Sequence, residues 1–435
     1  MGDAQAKACL LRKRVDKVGL ILEKLKALDD PQSQLLLLRS CFSLPKINFA
    51  LRTLHFSEIG HVIQDFDCLV DNAFSNILGF SVSHIQRVQA ALPIGEGFPG
   101  FGLPKAEPTS HCAYLASCVQ SLGIQEALLS VDSPLDLPDL AVSSMAHINS
   151  FLDPSSRVSL PTLQVFKKPQ HELVSRLAKV AFASLLDFSR NQSSDLARML
   201  SCSMKHSGSF LQVLPNNVLN SYLPKREFQV LCRLRLGAPV FHSPAPCVRC
   251  GKTADIYGIH SSQCAVGGYV IRRHDALRDE LARICADAGC SVIVEQRGLF
   301  ELSNERPGDL RIKNSQNNLD LLIDVSVVSP VANYTLSKSS KTMAAAATSM
   351  ETTKLDKYYE RLSLLGTNFS PFVFESFGGW TSFGDSIISQ IAGVQSFNTN
   401  MPVSDCVARI NNRLSIVLAK KMAEMILCNF SNRDF

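Results

Sequence analysis

Three cysteines and one histidine lie within one short segment of this 435-residue chain, CVRCGKTADIYGIHSSQC (247–264). Two residues separate Cys247 from Cys250, and three separate His260 from Cys264. Thiolate and imidazole are the ligands that zinc prefers, and four of them close a tetrahedral structural site. The residues between the two pairs are few and polar, so metal binding would supply folding energy there. The spacing predicts a structural zinc knuckle; the alternative is a chance cluster of buried thiols.

Two aspartates lie further along the chain, in ERPGDLRIKNSQNNLDLLIDVSVV (305–328). Asp309 begins one predicted strand and Asp324 lies inside the next, so a hairpin would bring both carboxylates to one edge of a sheet. A carboxylate among Leu, Ile and Val is costly unless a cation meets it. Mg²⁺ takes one or two carboxylates together with phosphate oxygens. We therefore predict a Mg²⁺ site, with Glu295 as a third candidate ligand; a satisfied salt bridge or a strand-end turn is the alternative for Asp324.

Basic residues surround the cysteine cluster, although the net charge of the chain is only +5. Local distribution matters more than the sum for binding nucleic acid. We expect phosphate contacts from Arg249, Lys252, Arg272 and Arg273. Ordinary solvated surface is the alternative for these side chains.

Apolar residues recur at helical spacing through the first half of the chain, from residue 7 to about 235. This periodicity predicts helices near 55–78, 110–130, 138–151, 170–188 and 192–204. The Gly-rich segment at 93–104 lacks the Lys-Ser/Thr ending and the preceding strand of a phosphate loop. We expect a bend between helices there.

The second half alternates helices with short apolar runs rich in β-branched residues. A helix is predicted over 274–289, with Asp275 as its N-cap and Gly289 as its end. Strands are predicted at 291–295, 308–312, 319–328 and 372–377, and further helices at 351–365, 381–394 and 402–428. The Ser/Ala/Lys-rich segment at 337–348 is predicted to be mobile.

Composition indicates a folded chain, since 46% of the residues are hydrophobic and 19% are charged. The longest apolar runs are far shorter than the roughly 20 residues that a membrane span needs. The first residues lack the apolar segment of a signal peptide. We therefore expect an intracellular protein with no membrane partner, in which the cysteines outside 247–264 are free core thiols.

The order of these motifs resembles the C-terminal part of non-LTR retrotransposon polyproteins. The specific part of the resemblance is the Cys/His cluster, RRHD (272–275), Glu295, RPGDL (306–310), IDVSVV (323–328) and KLDKYY (354–359). The helical half is similar, at lower specificity, to the region after the reverse transcriptase palm. No Tyr/Phe-x-Asp-Asp palm motif occurs, so polymerase activity is not expected from this chain, and a polymerase would come from another chain.

The resemblance implies a CCHC zinc knuckle followed by a restriction-like endonuclease of the PD-(D/E)xK class. The implied fold is α+β: a helical domain at 1–236, a knuckle at 237–268, an α/β domain with a central mixed sheet at 269–380, and C-terminal helices at 381–435. Asp309 and Asp324 would be the metal-binding acids, and Lys354 or Lys357 would supply the catalytic lysine.

Two positions depart from the family pattern. Gly308 separates Pro307 from Asp309, and Ser326 stands where a lysine is expected. The implied function is nicking of DNA by a Mg²⁺-dependent nuclease, with DNA and retroelement RNA as partners and a nuclear location. A zinc-knuckle binding protein with an inert nuclease fold, and a transposon remnant without a selected role, are the alternatives.

Overall fold

The computed structural model describes residues 3–95, 97–129, 135–300, 305–314 and 318–430. The chain divides into two compact units, Met1–Pro93 with Phe101–Phe188, and Ile94–Gly100 with Ser189–Phe435. Helices make up the first unit, and the second combines helices with small sheets. The chain therefore has the predicted α+β class with a helical N-terminal half.

The first unit contains nine α-helices among its described residues. They are α1 (Ala4–Lys26), α2 (Pro31–Leu37), α3 (Asn48–Thr53), α4 (Phe56–Leu78), α5 (His84–Ala91), α6 (Ala106–Leu129), α7 (Asp139–Phe151), α8 (Leu160–Val165) and α9 (Pro169–Phe188). Helix α4 shows why these bounds hold. A capping box between His55 and Glu58 satisfies its first N–H groups, and Gly79, with φ of 70°, ends it in the left-handed conformation.

The second unit contains short hairpins, a larger sheet and seven α-helices in its described part. The strands are β1 (Ile94–Gly95), β2 (Phe98–Pro99), β3 (Ala245–Pro246), β4 (Thr253–Ala254), β5 (Ser291–Val294), β6 (Leu310–Asn314), β7 (Leu319–Val328) and β8 (Asn368–Glu375). The helices are α10 (Ser193–Cys202), α11 (Lys225–Leu236), α12 (Tyr269–Asp287), α13 (Asn333–Ser339), α14 (Ala345–Leu364), α15 (Ser382–Thr399) and α16 (Val403–Asn429).

The larger sheet has the strand order β5-β6-β7-β8. Strand β6 pairs antiparallel with both β5 and β7, whereas β7 and β8 are parallel and connected through α13 and α14. The predicted hairpin is therefore present, with Leu310 opposite Ile323, although its loop residues 315–317 lie outside the described part. The sheet is mixed, and its two longest strands are the parallel pair.

Helices cover both faces of the parallel pair. On one face, Leu322 and Phe369 pack with Leu362 of α14. On the other, Phe372 lies beneath Gly384 of α15 and packs edge-on against Trp380. A side chain at position 324 shares the Leu322 face because side chains alternate along a strand. Asp324 therefore faces α14.

Most predicted elements are confirmed within a few residues, the predicted N-cap of α12 was wrong, and two further segments contain more regular structure than was predicted. Helix α12 begins at Tyr269 after Gly268, so Asp275 lies inside the helix and is not its N-cap. Residues 337–348, predicted to be mobile, include the end of α13 and the start of α14. The bend at 93–104 contains the β1–β2 hairpin, which pairs on either side of Glu96, itself outside the described residues.

The boundary between the compact units also differs from the predicted domain boundary at residue 236. Helices α10 and α11 belong to the second unit, as do the knuckle, the sheet and α15–α16. A knuckle of this size cannot bury a core of its own, and it shares one with α11 and α16. No helix in the described part of the chain is both long enough and apolar enough to cross a membrane.

Candidate metal centre and candidate active site

The four predicted zinc ligands lie together in the second unit. Their ligand atoms are all within 4.8 Å of one another. The Sγ atoms of Cys247 and Cys264 are 3.8 Å apart, and Cys250 Sγ lies 3.3 Å from His260 Nε2. A tetrahedron with Zn–S distances of about 2.3 Å places two sulfurs about 3.8 Å apart. The cluster can therefore hold a metal ion such as zinc.

Local turns of the backbone form this arrangement. Strands β3 and β4 pair around the first two cysteines, where Gly251 adopts φ of 71° and its N–H donates to the carbonyl of Cys247. The carboxylate of Asp255 accepts hydrogen bonds from three backbone N–H groups, including that of His260 at 2.7 Å. The cluster geometry is thus fixed by hydrogen bonds of the protein itself.

The two buried thiols of the cluster differ in acidity. Burial opposes ionisation of Cys247, but backbone N–H groups at positions 249 and 250 and the His260 side chain lower its pKa to about 6. Burial and the neighbouring thiols raise the pKa of Cys264 to about 11. Metal binding requires thiolates, so binding releases protons from this cluster.

The knuckle packs against the end of α16. Cys247 and Cys264 share an apolar cluster with Ile426 and Phe430, and Phe430 stacks on Phe241 with ring centroids 3.5 Å apart. The Asn429 side-chain amide donates to the carbonyl of Ser261 at 2.9 Å. The end of α16 therefore packs directly on the Cys/His cluster.

Three of the four basic residues predicted to bind nucleic acid are exposed: Arg249, Lys252 and Arg272. The guanidinium carbons of Arg249 and Arg272 lie 5.2 and 5.0 Å from the ring centroid of Tyr269. Arg249 also donates to the Tyr269 hydroxyl at 3.1 Å. Tyr269 thus holds two guanidinium groups together beside the knuckle.

The fourth basic residue, Arg273, is only 5% exposed. Its guanidinium contacts the Sδ atom of Met422 at 3.0 Å and the carbonyl of Ser262 at 3.4 Å. Burial lowers its pKa to about 10. The prediction that Arg273 contacts phosphates was wrong for this structure, because the helix turns the side chain onto α16.

Asp309 and Asp324 meet at the sheet, as the hairpin predicted. Their carboxyl groups are in hydrogen-bond contact. The backbone N–H of Asp309 donates to the carbonyl of Ile323 at 2.8 Å, and the N–H of Val325 donates to Asp309 Oδ2 at 2.7 Å. Two carboxyl groups in contact need a proton or a cation between them. The pair therefore offers hard oxygen ligands of the kind that Mg²⁺ takes.

The structure separates the two candidate lysines. Lys354 Nζ lies 2.5 Å from Asp324 Oδ2, and both side chains are largely buried. Lys357 projects into solvent, with Nζ 4.7 Å from the ring centroid of Tyr358. Lys354 is thus the lysine in contact with the carboxylates.

Glu295 does not complete the acidic pair in this structure. It adopts φ of 49° after β5, and its backbone N–H donates to the carbonyl of Asp309. Its Oε1 accepts from Arg278 at 2.6 Å, and its Oε2 is paired with Arg306. Glu295 was predicted as a third metal ligand, but two guanidinium groups already neutralise it.

His274 is a member of this site that was not predicted. Its Nε2 lies 3.1 Å from Asp309 Oδ2, and its Nδ1 lies 3.2 Å from Asp275 Oδ1. One sequence signal indicates its position: His274 is three residues before Leu277, so it lies on the apolar face of α12. The imidazole therefore fixes the orientation of Asp309 from the helix side.

The two aspartates differ in pKa. Burial, partly opposed by Lys354 and assisted by repulsion from Asp309, raises the pKa of Asp324 to about 6. Burial acts in the same direction on Asp309, but the hydrogen bond and charge of His274 bring the pKa of Asp309 below its ordinary value. The hydrogen bond to Asp309 in turn raises the pKa of His274. Asp309 is thus the first member of the pair to ionise, and Asp324 ionises only as the pH rises through about 6.

The comparisons with protein families and curated proteins identified no relative of this chain. No protein-family model matches the chain, and no curated protein matches it.

Proposed function

We propose that the second unit is a metal-dependent DNA endonuclease of the restriction-like class, related to the nucleases of non-LTR retrotransposons. The observation that carries this proposal is the contact of Asp309, Asp324 and Lys354 at one mixed sheet. One acid directly before β6, a second acid on the neighbouring strand β7 and a lysine beside them form the arrangement that this class uses for phosphodiester hydrolysis.

Each side chain has a definite role in this proposal. Asp309 and Asp324 would hold Mg²⁺, which would neutralise charge on the scissile phosphate and lower the pKa of a bound water. Lys354 would orient the attacking water or contact a phosphate oxygen. His274 and the N–H of Val325 keep Asp309 Oδ2 in place, which leaves Oδ1 for the cation.

Both departures from the family pattern have a structural explanation. A Cβ atom at Gly308 would lie 2.7 Å from Leu322 Cγ, so only glycine lets the chain pass this close to β7. The close approach is what places Asp309 beside Asp324. Ser326 lacks a cationic group, but Lys354 of α14 provides one at the same carboxylate. These two positions therefore agree with a working site.

Nicking of supercoiled plasmid with Mg²⁺ or Mn²⁺ tests the proposal. Asp309→Ala and Asp324→Ala should abolish nicking and leave DNA binding nearly unchanged, because the phosphate-binding arginines lie elsewhere. Asp320→Ala is the matched control, since Asp320 lies on the same strand but pairs with Arg311 at 2.8 Å. Wild-type protein that binds DNA and never nicks it, under either metal, would reject the nuclease.

One observation favours a second candidate function, a knuckle that binds nucleic acid without cleaving it. The exposed Arg249 and Arg272 both lie against Tyr269, and this pair of cations suits contacts with a phosphate backbone. The same experiment distinguishes this function, because it predicts salt-dependent binding with no product. In either case we propose that the metal of the knuckle is zinc, that DNA or retroelement RNA is the partner, and that the location is nuclear.

A further inference from the structure

A groove of about 450 Å³ lies within the first unit, where α3, α6 and the start of α9 meet. Its lining includes Arg52, Lys167, Lys168 and His171, and no acidic side chain. Among the described residues, neither lysine forms an ion pair, and both are exposed. The groove therefore presents uncompensated positive charge.

Arg52 is the most rigidly held of these cations. Its Nη1 donates to Gln170 Oε1 at 2.9 Å and its Nη2 to Gln120 Oε1 at 2.8 Å. Gln170 is itself oriented by Asn48, whose Oδ1 accepts from Gln170 Nε2 at 3.0 Å. Amide oxygens are neutral, so they fix the guanidinium without cancelling its charge. A guanidinium positioned in this way is suited to bind an anion with oxygen acceptors.

A second cavity of about 190 Å³ adjoins the groove and shares Pro104, Thr109 and Val174 with it. Its lining is mainly apolar and includes Pro108 and Leu177, and its one charged residue, Lys105, is paired with Asp71 at 3.8 Å. The two cavities together fall within the size range of ligand sites in proteins. The two cavities are thus neighbours with a shared wall, the first lined by cations and the second mainly by apolar side chains.

We propose that this site binds a segment of single-stranded nucleic acid. A nucleotide has the matching polarity, with an anionic phosphate for Arg52, Lys167 and Lys168, and a base whose flat face fits the Pro104 and Val174 side. A duplex is unsuitable because its bases are stacked and paired, whereas an unpaired base can turn outward into a cavity. This inference does not depend on the nuclease proposal.

Fluorescence anisotropy with the full chain and a labelled ten-nucleotide oligo(dT) tests this site. Lys167→Ala with Lys168→Ala should weaken binding about tenfold and reduce the salt slope by about 1.4, because two single-strand phosphate contacts are lost. Lys13→Ala with Lys17→Ala is the control, since it removes the same charge from exposed positions of α1 in the same unit. Equal losses in both double variants would overturn the proposal.

Two further probes define the ligand. A blunt 20-base-pair duplex should bind the Lys167/Lys168 variant and the wild type equally well, through residues outside the groove. An oligonucleotide of the same length with abasic sites should bind the wild type several-fold more weakly than oligo(dT). A matching loss of duplex binding would show unspecific electrostatics, and equal binding of the abasic strand would show that no base enters the apolar cavity; either result rejects the site as proposed.

Discussion

The chemical role of a single residue in this protein depends on the direction in which its helix or strand points the side chain. Three neighbours show this: Arg272 is exposed beside Tyr269, Arg273 is buried against α16, and His274 contacts Asp309. Residue type predicted a basic surface for the first two. Arg273 and His274 precede the buried Leu277 by four and three residues. Residues at this spacing share one face of a helix, so the spacing predicts that both side chains turn toward the protein interior.

The clearest residue prediction concerns the two lysines of α14. Lys354→Ala should reduce the nicking rate at least 100-fold, because the ammonium group that contacts Asp324 is lost. Lys357→Ala should stay within about twofold of the wild type, since that side chain extends into solvent. Single-turnover nicking rates at saturating Mg²⁺ measure both. A larger loss of rate in the Lys357 variant than in the Lys354 variant would show that Lys354 is not the catalytic lysine.

Individual elements were predictable where the signal was local. Strand β7 was predicted at its observed bounds because it is an apolar run of β-branched residues with a polar segment before it. The start of α14 was missed, since the carboxylate of Glu375 accepts the N–H of Ala347 at 3.2 Å across 28 residues of sequence. A cap that another element supplies cannot be recognised from the sequence around the helix.

The Cys/His cluster was predictable for a similar reason: its ligands lie close together in sequence. The Asp309–Asp324 contact needed only a hairpin, which alternating apolar residues indicate. Two features of the active site could not be predicted in this way. The φ of Glu295 and its two arginine partners depend on tertiary packing, and the choice between Lys354 and Lys357 depends on the rotation of α14.

The folded structure of the knuckle should depend on the proposed zinc ion. Cys264→Ser should lose the bound zinc, about one ion per chain, and should speed hydrogen exchange both at 247–264 and at the end of α16, because the two segments share one apolar cluster. Cys428→Ser is the control, since that thiol is exposed on α16 and outside the cluster. Metal analysis and exchange mass spectrometry measure the result. Unchanged exchange at α16 would contradict the proposed dependence.

At the scale of the whole molecule, the two compact units contain different stabilising groups. The single tryptophan, Trp380, is buried in the second unit and reports its unfolding by fluorescence. The first unit contains a cluster of three histidines instead, of which His55 and His111 are buried and His147 is exposed. His111 stacks on His147 with ring centroids 4.0 Å apart, lies 6.0 Å from His55, and contacts the Ser144 hydroxyl.

This histidine cluster predicts that acid destabilises the first unit. Burial, with repulsion from His147 and His55, lowers the pKa of His111 to about 4. As the pH falls, His111 therefore binds a proton in the unfolded chain before it does so in the folded chain. The free energy of unfolding should be highest above about pH 6.5 and should fall by up to about 3 kcal/mol as the pH approaches 4. His111→Gln should flatten this dependence in helix-monitored thermal unfolding from pH 7.5 to 4.5, whereas His61→Gln, at an exposed position of α4, should not. Parallel pH profiles for wild type and His111→Gln would show that the cluster does not titrate on unfolding.

The pairing of Ser261 with Asn429 has a consequence for how the protein is made. These residues are 168 positions apart, and a ribosome adding roughly 5 to 20 residues per second needs about 10 to 30 s to reach the second from the first. During that interval the cysteines of the knuckle have emerged while Ile426 and Phe430 do not yet exist. A nascent chain that binds the proposed zinc can therefore do so before its last helix is made, and the metal-bound knuckle would then offer that helix a folded surface on which to pack.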